Sequence, residues 1–271
     1  MLAPFAIAGG SIAGRGHTAA GRNNQDAWAW ARSEQCLAAV VCDGCSSGQH
    51  SEVGAQLGAR MVADAIVRLH DPVIAIDALL ESVRQEVAAQ LVFLATALVG
   101  PDPTSNWRDV VTDYFLFTVV GVVVTAETAH SFALGDGLVL LDGERWQLGP
   151  FAKNEPPYLG YCLLSESGAL DLRAGPRFEL GPTRPASELQ HALIGTDGAI
   201  DLEQAADRVL EDDDGEPVGP LSQFWDDSRF MANRDLIRRR LSVLNRPGRP
   251  GLLPDDTTLV LLRRTTEEAP C

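Results

Sequence analysis

Between Tyr114 and Leu148 the chain is a succession of short Val- and Leu-rich runs, broken at Gly135-Asp136-Gly137 and Asp142-Gly143-Glu144. Tight turns of that composition join antiparallel strands. Strands are therefore expected over 114–125, 129–134, 138–142 and 146–148. This antiparallel stretch opposes any fold built on one parallel sheet.

Helices and further strands flank that middle. Met1–Gly10 and Leu37–Cys42 read as strands. From Ser51 to Leu69 the residues Val53, Leu57, Met61, Ala65 and Leu69 recur every four positions, which predicts an amphipathic helix with that face inward. A second helix is expected to begin near Pro72 and to run to about Leu98 on Ile76, Leu79, Leu80, Val83, Val87, Leu91 and Leu94. Gly100–Arg108 reads as loop, and Pro156-Pro157-Tyr158 as a rigid surface loop. Further on, the sequence predicts a solvated acidic loop at Glu211–Glu216, a helical arginine-rich end at Arg238–Arg240, and strands at His191–Gly195 and Thr257–Leu262. No internal repeat or long linker divides the chain, so one domain over 1–271 is expected.

Charge narrows the partners. The 22 Lys+Arg against 37 Asp+Glu give a net charge of −15, a field that repels nucleic acid and anionic membrane surfaces. No stretch reads as the roughly 20 apolar residues of a membrane span, and the N-terminus lacks a basic region before its apolar residues. Five cysteines, an odd and small number, disfavour a disulfide scaffold and suit a reducing cytoplasm.

The chemistry lies in the aspartates. Asp26 follows Asn23-Asn24-Gln25, Asp43 ends a strand, Asp136 sits in a tight turn, Asp197 ends the His191 strand, and Asp255-Asp256 precedes the last one. A carboxylate at a strand end is anchored on stiff backbone yet reaches an open edge. Several converging would repel one another unless cations neutralised them. Hard oxygen donors of this kind select Mg²⁺ or Mn²⁺.

Asn24-Gln25-Asp26-Ala27, Val40-Val41-Cys42-Asp43-Gly44, Gly135-Asp136-Gly137, Gly195-Thr196-Asp197-Gly198 and Asp255-Asp256-Thr257-Thr258 together resemble the ordered motifs of the metal-dependent protein phosphatases, the protein phosphatase 2C-like family. The resemblance spans residues 9 to 264. It implies an α+β fold, a four-layer α-β-β-α sandwich with two central antiparallel sheets. It implies two Mg²⁺ or Mn²⁺ ions, bridged by Asp43, with the Gly44 carbonyl on the second, Asp197 and Asp255 on the first, and Asp136 near a third, weaker site. Asp26 would hold the attacking water, and Arg22 would grip phosphate. The implied substrate is a phosphorylated protein, with a Ser/Thr kinase as natural counterpart.

The chain also departs from the family pattern. Gln25 stands where the family has Glu, which predicts a weaker second metal. Gly21 takes the usual phosphate-binding Arg position, leaving Arg22 or Arg15. Cys45 replaces a proton-donating His, leaving His17 or His50. These departures motivate an alternative, a weakly active or inactive pseudophosphatase that acts as a binding module. Two other readings carry less. Gly44-Cys45-Ser46-Ser47-Gly48 matches a nucleophile elbow, with His191 as its only downstream partner. Cys42 and Cys45 form one C-x-x-C without the second pair that zinc needs.

Overall fold

The computed structural model describes residues 2–101, 106–164, 171–209, 217–246 and 252–265. Among these residues, ten strands build two five-stranded sheets. They are β1 (Phe5–Ile12), β2 (Asp26–Arg32), β3 (Cys36–Asp43), β4 (Val119–Thr125), β5 (Thr128–Leu134), β6 (Gly137–Leu141), β7 (Glu144–Leu148), β8 (Glu179–Pro185), β9 (His191–Gly195) and β10 (Thr257–Arg264). The first sheet has the order β1-β10-β9-β6-β7 and the second β2-β3-β4-β5-β8, with every pairing antiparallel. Eight α-helices among the described residues flank them: α1 (Arg15–Ala20), α2 (Ser51–Leu69), α3 (Ile76–Val99), α4 (Trp107–Tyr114), α5 (Gly198–Gln204), α6 (Gln223–Asp226), α7 (Arg229–Ala232) and α8 (Leu236–Leu244).

The period-two alternation of the strands generates the layers. Along β3, Leu37, Ala39 and Val41 enter the core between the sheets, while Ala38, Val40 and Cys42 face α2 and α3. A third core joins the first sheet to the helices α5 to α8 through Leu193, Leu261, Phe224, Ile237 and Leu241. Each buried Val or Leu contributes about 1.5–3 kcal/mol relative to exposure. Three such cores make the four-layer α-β-β-α sandwich that the family resemblance implies.

Helix α2 has the expected bounds, and Ala65, Met61 and Leu69 of the expected face reach the core, but in its first half the inward face shifts to smaller residues. Val53 and Leu57 are each 38% exposed, whereas Gly54, Ala55, Gly58, Ala59, Val62 and Ile66 are buried. Small residues let the helix lie closer than a Val/Leu stripe would. A Cβ on Gly54 would stand 1.9 Å from the Tyr114 carbonyl oxygen, and one on Gly58 would stand 2.3 Å from the Phe117 ring.

Other expectations are corrected as well. Tyr114 ends helix α4 rather than beginning a strand, and β4 starts at Val119. Asn106 starts α4 by accepting a hydrogen bond from the Asp109 amide at 2.8 Å. Pro156-Pro157-Tyr158 is no surface loop: Tyr158 is buried, and Leu159 donates its amide to the Phe117 carbonyl. By length and composition α3 is apolar enough to cross a membrane, which the sequence reading did not expect. Its Leu79, Leu80, Val83, Val87 and Leu91 nonetheless pack into the core. Arg84 is wholly buried on the same helix, held by Glu81 and the carbonyl oxygens of Leu172, Arg173 and Ala174. The acidic stretch at Glu211–Glu216 lies outside the described residues.

Candidate metal centre

Antiparallel order gathers the aspartates. In the second sheet β2 begins where β3 ends, so Asp26 and Asp43 are direct cross-strand partners. In the first sheet the start of β10, the end of β9 and the start of β6 share one end, with Gly195 opposite both Leu138 and Leu259. Asp197 and Asp255 leave the sheet there. Asp136 lies in the turn between β5 and β6, which are in different sheets. That turn bends sharply on Gly135 and Gly137, whose φ values of 102° and 142° favour glycine. Five carboxylates far apart in sequence thus collect at one end of the sandwich.

Their electrostatics show the proximity. Burial raises the Asp43 pKa well above the usual carboxylate range, and Asp26, Asp197, Asp255 and Asp136 raise it further. Asp197 is pushed up to about 7, by burial first and then by Asp255, Asp136 and Asp201. Burial likewise raises Asp136, with Asp255 adding to it. Asp26 is raised by burial and by Asp256 and Asp197, against the hydrogen bond that Thr196 Oγ1 donates to its Oδ2 at 2.6 Å. Among the described residues, the largest charge effects on these four come from other carboxylates.

The surrounding backbone is tightly fixed. Gly44 donates its amide to the Gln25 carbonyl at 3.1 Å, and a Cβ there would stand 2.8 Å from the Ser51 carbonyl oxygen. Asp256 is buried and accepts from the amides of Gly14 at 2.6 Å and Gln25 at 2.5 Å. His17 Nδ1 lies 2.8 Å from the same carboxylate. The ligand atoms of His17, Asp255 and Asp256 all lie within 4.8 Å of one another. Thr196 Oγ1 also accepts from the Thr258 amide at 3.1 Å, tying β9 to β10 beneath the cluster.

A hard divalent cation fits these donors. Asp26 Oδ1, Asp136 Oδ1 and Gln25 Oε1 are buried oxygens without a hydrogen-bond partner in the described structure. A buried oxygen left so is costly unless a donor or an ion completes it. Gln25 uses its amide nitrogen on Ser51 Oγ at 2.6 Å, which leaves its neutral oxygen as the free end.

The remaining candidates stand at different depths. Arg22 is exposed at the rim, where its guanidinium donates to the Ser46 carbonyl in the turn after Asp43-Gly44. Arg15 anchors α1 through its amide to the Leu253 carbonyl. His50 packs against Tyr114 at a tilt of 35° with ring centroids 4.8 Å apart, while His17 faces Asp256. The elbow reading fails on topology, since His191 opens β9 at the far end from Asp197 and stacks on Trp225. Cys42 is buried in the core, and Cys42 and Cys45 are both free. Sequence reasoning missed Asp201, one helical turn after Asp197. It also missed Tyr158, which is buried and raised in pKa by that burial, with Cys45, Asp43 and Asp136 adding to the shift. Asp201 had a signal in the i, i+4 spacing from Asp197; Tyr158, in a segment without periodicity, had none.

Two stacked antiparallel sheets with a carboxylate cluster at one end define a phosphatase-type α-β-β-α sandwich. The chain belongs to the protein phosphatase 2C family, whose family model matches residues 13–234. Among solved structures, a variant of a bacterial serine phosphatase is 14% identical, with a TM-score of 0.53, over 97% of this chain and 100% of that one. The serine/threonine phosphatase Stp1 from Staphylococcus aureus is 14% identical, with a TM-score of 0.50, over 98% of this chain and 96% of that one. A sex-determining protein of C. elegans is 12% identical, with a TM-score of 0.52, over 96% of this chain and 65% of that one. At such identities these likenesses speak to the fold. No curated protein matches the chain by sequence.

Proposed function

We propose that this chain is a metal-dependent protein serine/threonine phosphatase that hydrolyses phosphomonoesters with metal-activated water. The observation that carries the reading is the set of buried carboxylates from separate segments which raise one another's proton affinity and leave oxygens unpaired. Asp43, the Gly44 carbonyl, Asp197 and Asp255 would hold two Mg²⁺ or Mn²⁺ ions, and Asp136 a third. Such ions, when bound, lower the pKa of water and stabilise charge on the phosphoryl oxygens.

The chain's own groups supply the rest. Asp26 is held on one oxygen by Thr196, so its other oxygen is left to orient a water. Arg22 keeps donors beyond the one given to Ser46, and they face a phosphate arriving at the rim. Buried Tyr158 lies close enough to Cys45 and Asp43 for both to raise its proton affinity. No protein nucleophile is required.

The test is hydrolysis of p-nitrophenyl phosphate and of phosphothreonine peptides in millimolar Mn²⁺. Activity should vanish with EDTA and with Asp197→Asn. Gln25 and Gly21 favour a second reading, a binding module on the same fold, because neither supplies the usual charge; Gly21 has open space around it. Tight Mn²⁺ binding without turnover on either substrate would select that module.

A further inference from the structure

The edge of the second sheet is open. Among the described residues, strand β2 is terminal in its sheet and pairs only with β3. Gln25 gives its carbonyl to Gly44, and Ser33 its amide to Cys36, so odd-numbered residues between them face β3. Trp28, Trp30 and Arg32 therefore turn their backbone groups outward. The Trp30 carbonyl takes a long bond from Arg60 at 3.4 Å, in keeping with that parity. The amides of these three residues have no acceptor among the described residues.

A groove of about 660 Å³ runs along this edge, between the Ala27–Arg32 run and the residues Gln56, Arg60 and Asp64 of α2. Those helix positions are spaced i, i+4, i+8, so they form one ridge of α2 beside the strand. An edge strand beside a helix is the geometry that accepts an added peptide strand. In a chain of net charge −15, the groove carries two arginines and one aspartate. Arg60 is 64% exposed and only loosely paired with Asp64 at 3.8 Å.

We propose that this groove receives, by strand addition to β2, an extended acidic segment of the phosphoprotein substrate, which rests on the phosphatase reading. Backbone carbonyls of the segment would accept from the amides of Trp28, Trp30 and Arg32, and its alternating carboxylates would meet Arg60 on the α2 side and, on the opposite face, Arg32, whose guanidinium reaches the Phe5 carbonyl at 3.5 Å. Antiparallel addition, the commoner mode, brings the segment in at Arg32 and out at Asp26, where the acidic cluster begins. Seven strand residues span about 20 Å, so the acidic residues precede the phosphorylated one by four to six positions.

The test begins with binding that needs no catalysis. A non-phosphorylated acidic hexapeptide and its lysine-substituted twin are titrated while Trp28 and Trp30 fluorescence is followed. The acidic peptide should bind about tenfold tighter. Arg32→Glu with Arg60→Glu should erase the difference, and N-methylation of alternate peptide residues should weaken binding in one register only. Equal binding of the two peptides, or an unchanged preference in the double variant, would overturn the proposal. So would a dimer in sedimentation that the double variant disperses, since a second copy would then fill the edge. In turnover, the acidic segment placed before phosphothreonine should lower KM about tenfold, with p-nitrophenyl phosphate hydrolysis unchanged in the double variant. A protein without turnover on p-nitrophenyl phosphate would defeat the catalytic reading alone, because the titration still decides the docking.

Discussion

Asp26 and Asp43 face each other across the β2–β3 ladder, like charges at a position where a sheet ordinarily avoids them. The pairing is destabilising on its own. It places two carboxylates where Asp136, Asp197 and Asp255 also converge.

The first prediction concerns pH. Asp197 has a folded-state pKa of about 7 against an ordinary 3.8, and Asp43 and Asp26 are also raised. Over the window from 3.8 to about 7 the folded state binds more protons than the unfolded chain, so stability falls as pH rises. Metal-free protein in EDTA should therefore melt higher near pH 5.5 than near pH 8, provided other groups titrate alike in both states. Mn²⁺ should raise the melting temperature more at pH 8. Scanning fluorimetry at both pH values reads this, and Asp43→Asn should flatten the metal-free slope.

Gln25→Glu should tighten Mn²⁺ binding on the order of tenfold, the scale on which ligand-shell changes act. It replaces a neutral buried oxygen with a charged one. Metal-free protein carrying this change should be less stable than wild type. Calorimetric titration with Mn²⁺ measures the first effect and thermal melting the second.

Thr196→Val removes the donor to Asp26 Oδ2 and the acceptor for the Thr258 amide. Loss of buried partners should cost about 1–3 kcal/mol in urea unfolding. Turnover of p-nitrophenyl phosphate should drop with KM little changed, because the orienting carboxylate loses its anchor.

Arg84→Met strands three carbonyls and Glu81. Breaking this buried set should cost about 3–5 kcal/mol, read from the shift of the urea midpoint. The bond from Arg84 holds Glu81 down at about 2. Glu81 thus contributes stability above its ordinary pKa of 4.5, which is lost as pH falls toward 2. Wild type should show that acid-side loss, and Arg84→Met should not.

Much of the site was legible because it depends on short local signals. An aspartate beside Gly at a strand end can be seen at Asp43, Asp136 and Asp197, Asp255-Asp256 stands just before the last strand, and the order of the motifs named the family. The inward face of the first half of α2 was not legible: Val53 and Leu57 outweigh Gly54 and Gly58 on any hydropathy scale, yet close approach to Tyr114 and Phe117 selects the small residues. Asp256 read as a mere neighbour of Asp255, because its partners Gly14 and Gln25 lie 242 and 231 residues away. Tyr158 was hidden in a proline-rich segment whose burial depends on Phe115 and Phe117.

The turn carrying Asp136 is where the polypeptide leaves one sheet and enters the other. Asp43 and Asp26 belong to one layer, Asp197 and Asp255 to its mate. An ion gripped by all of them would act as a rivet through the seam, so stripping it away would free the two halves to slide, and loss of cation and loosening of the scaffold would be one mechanical event.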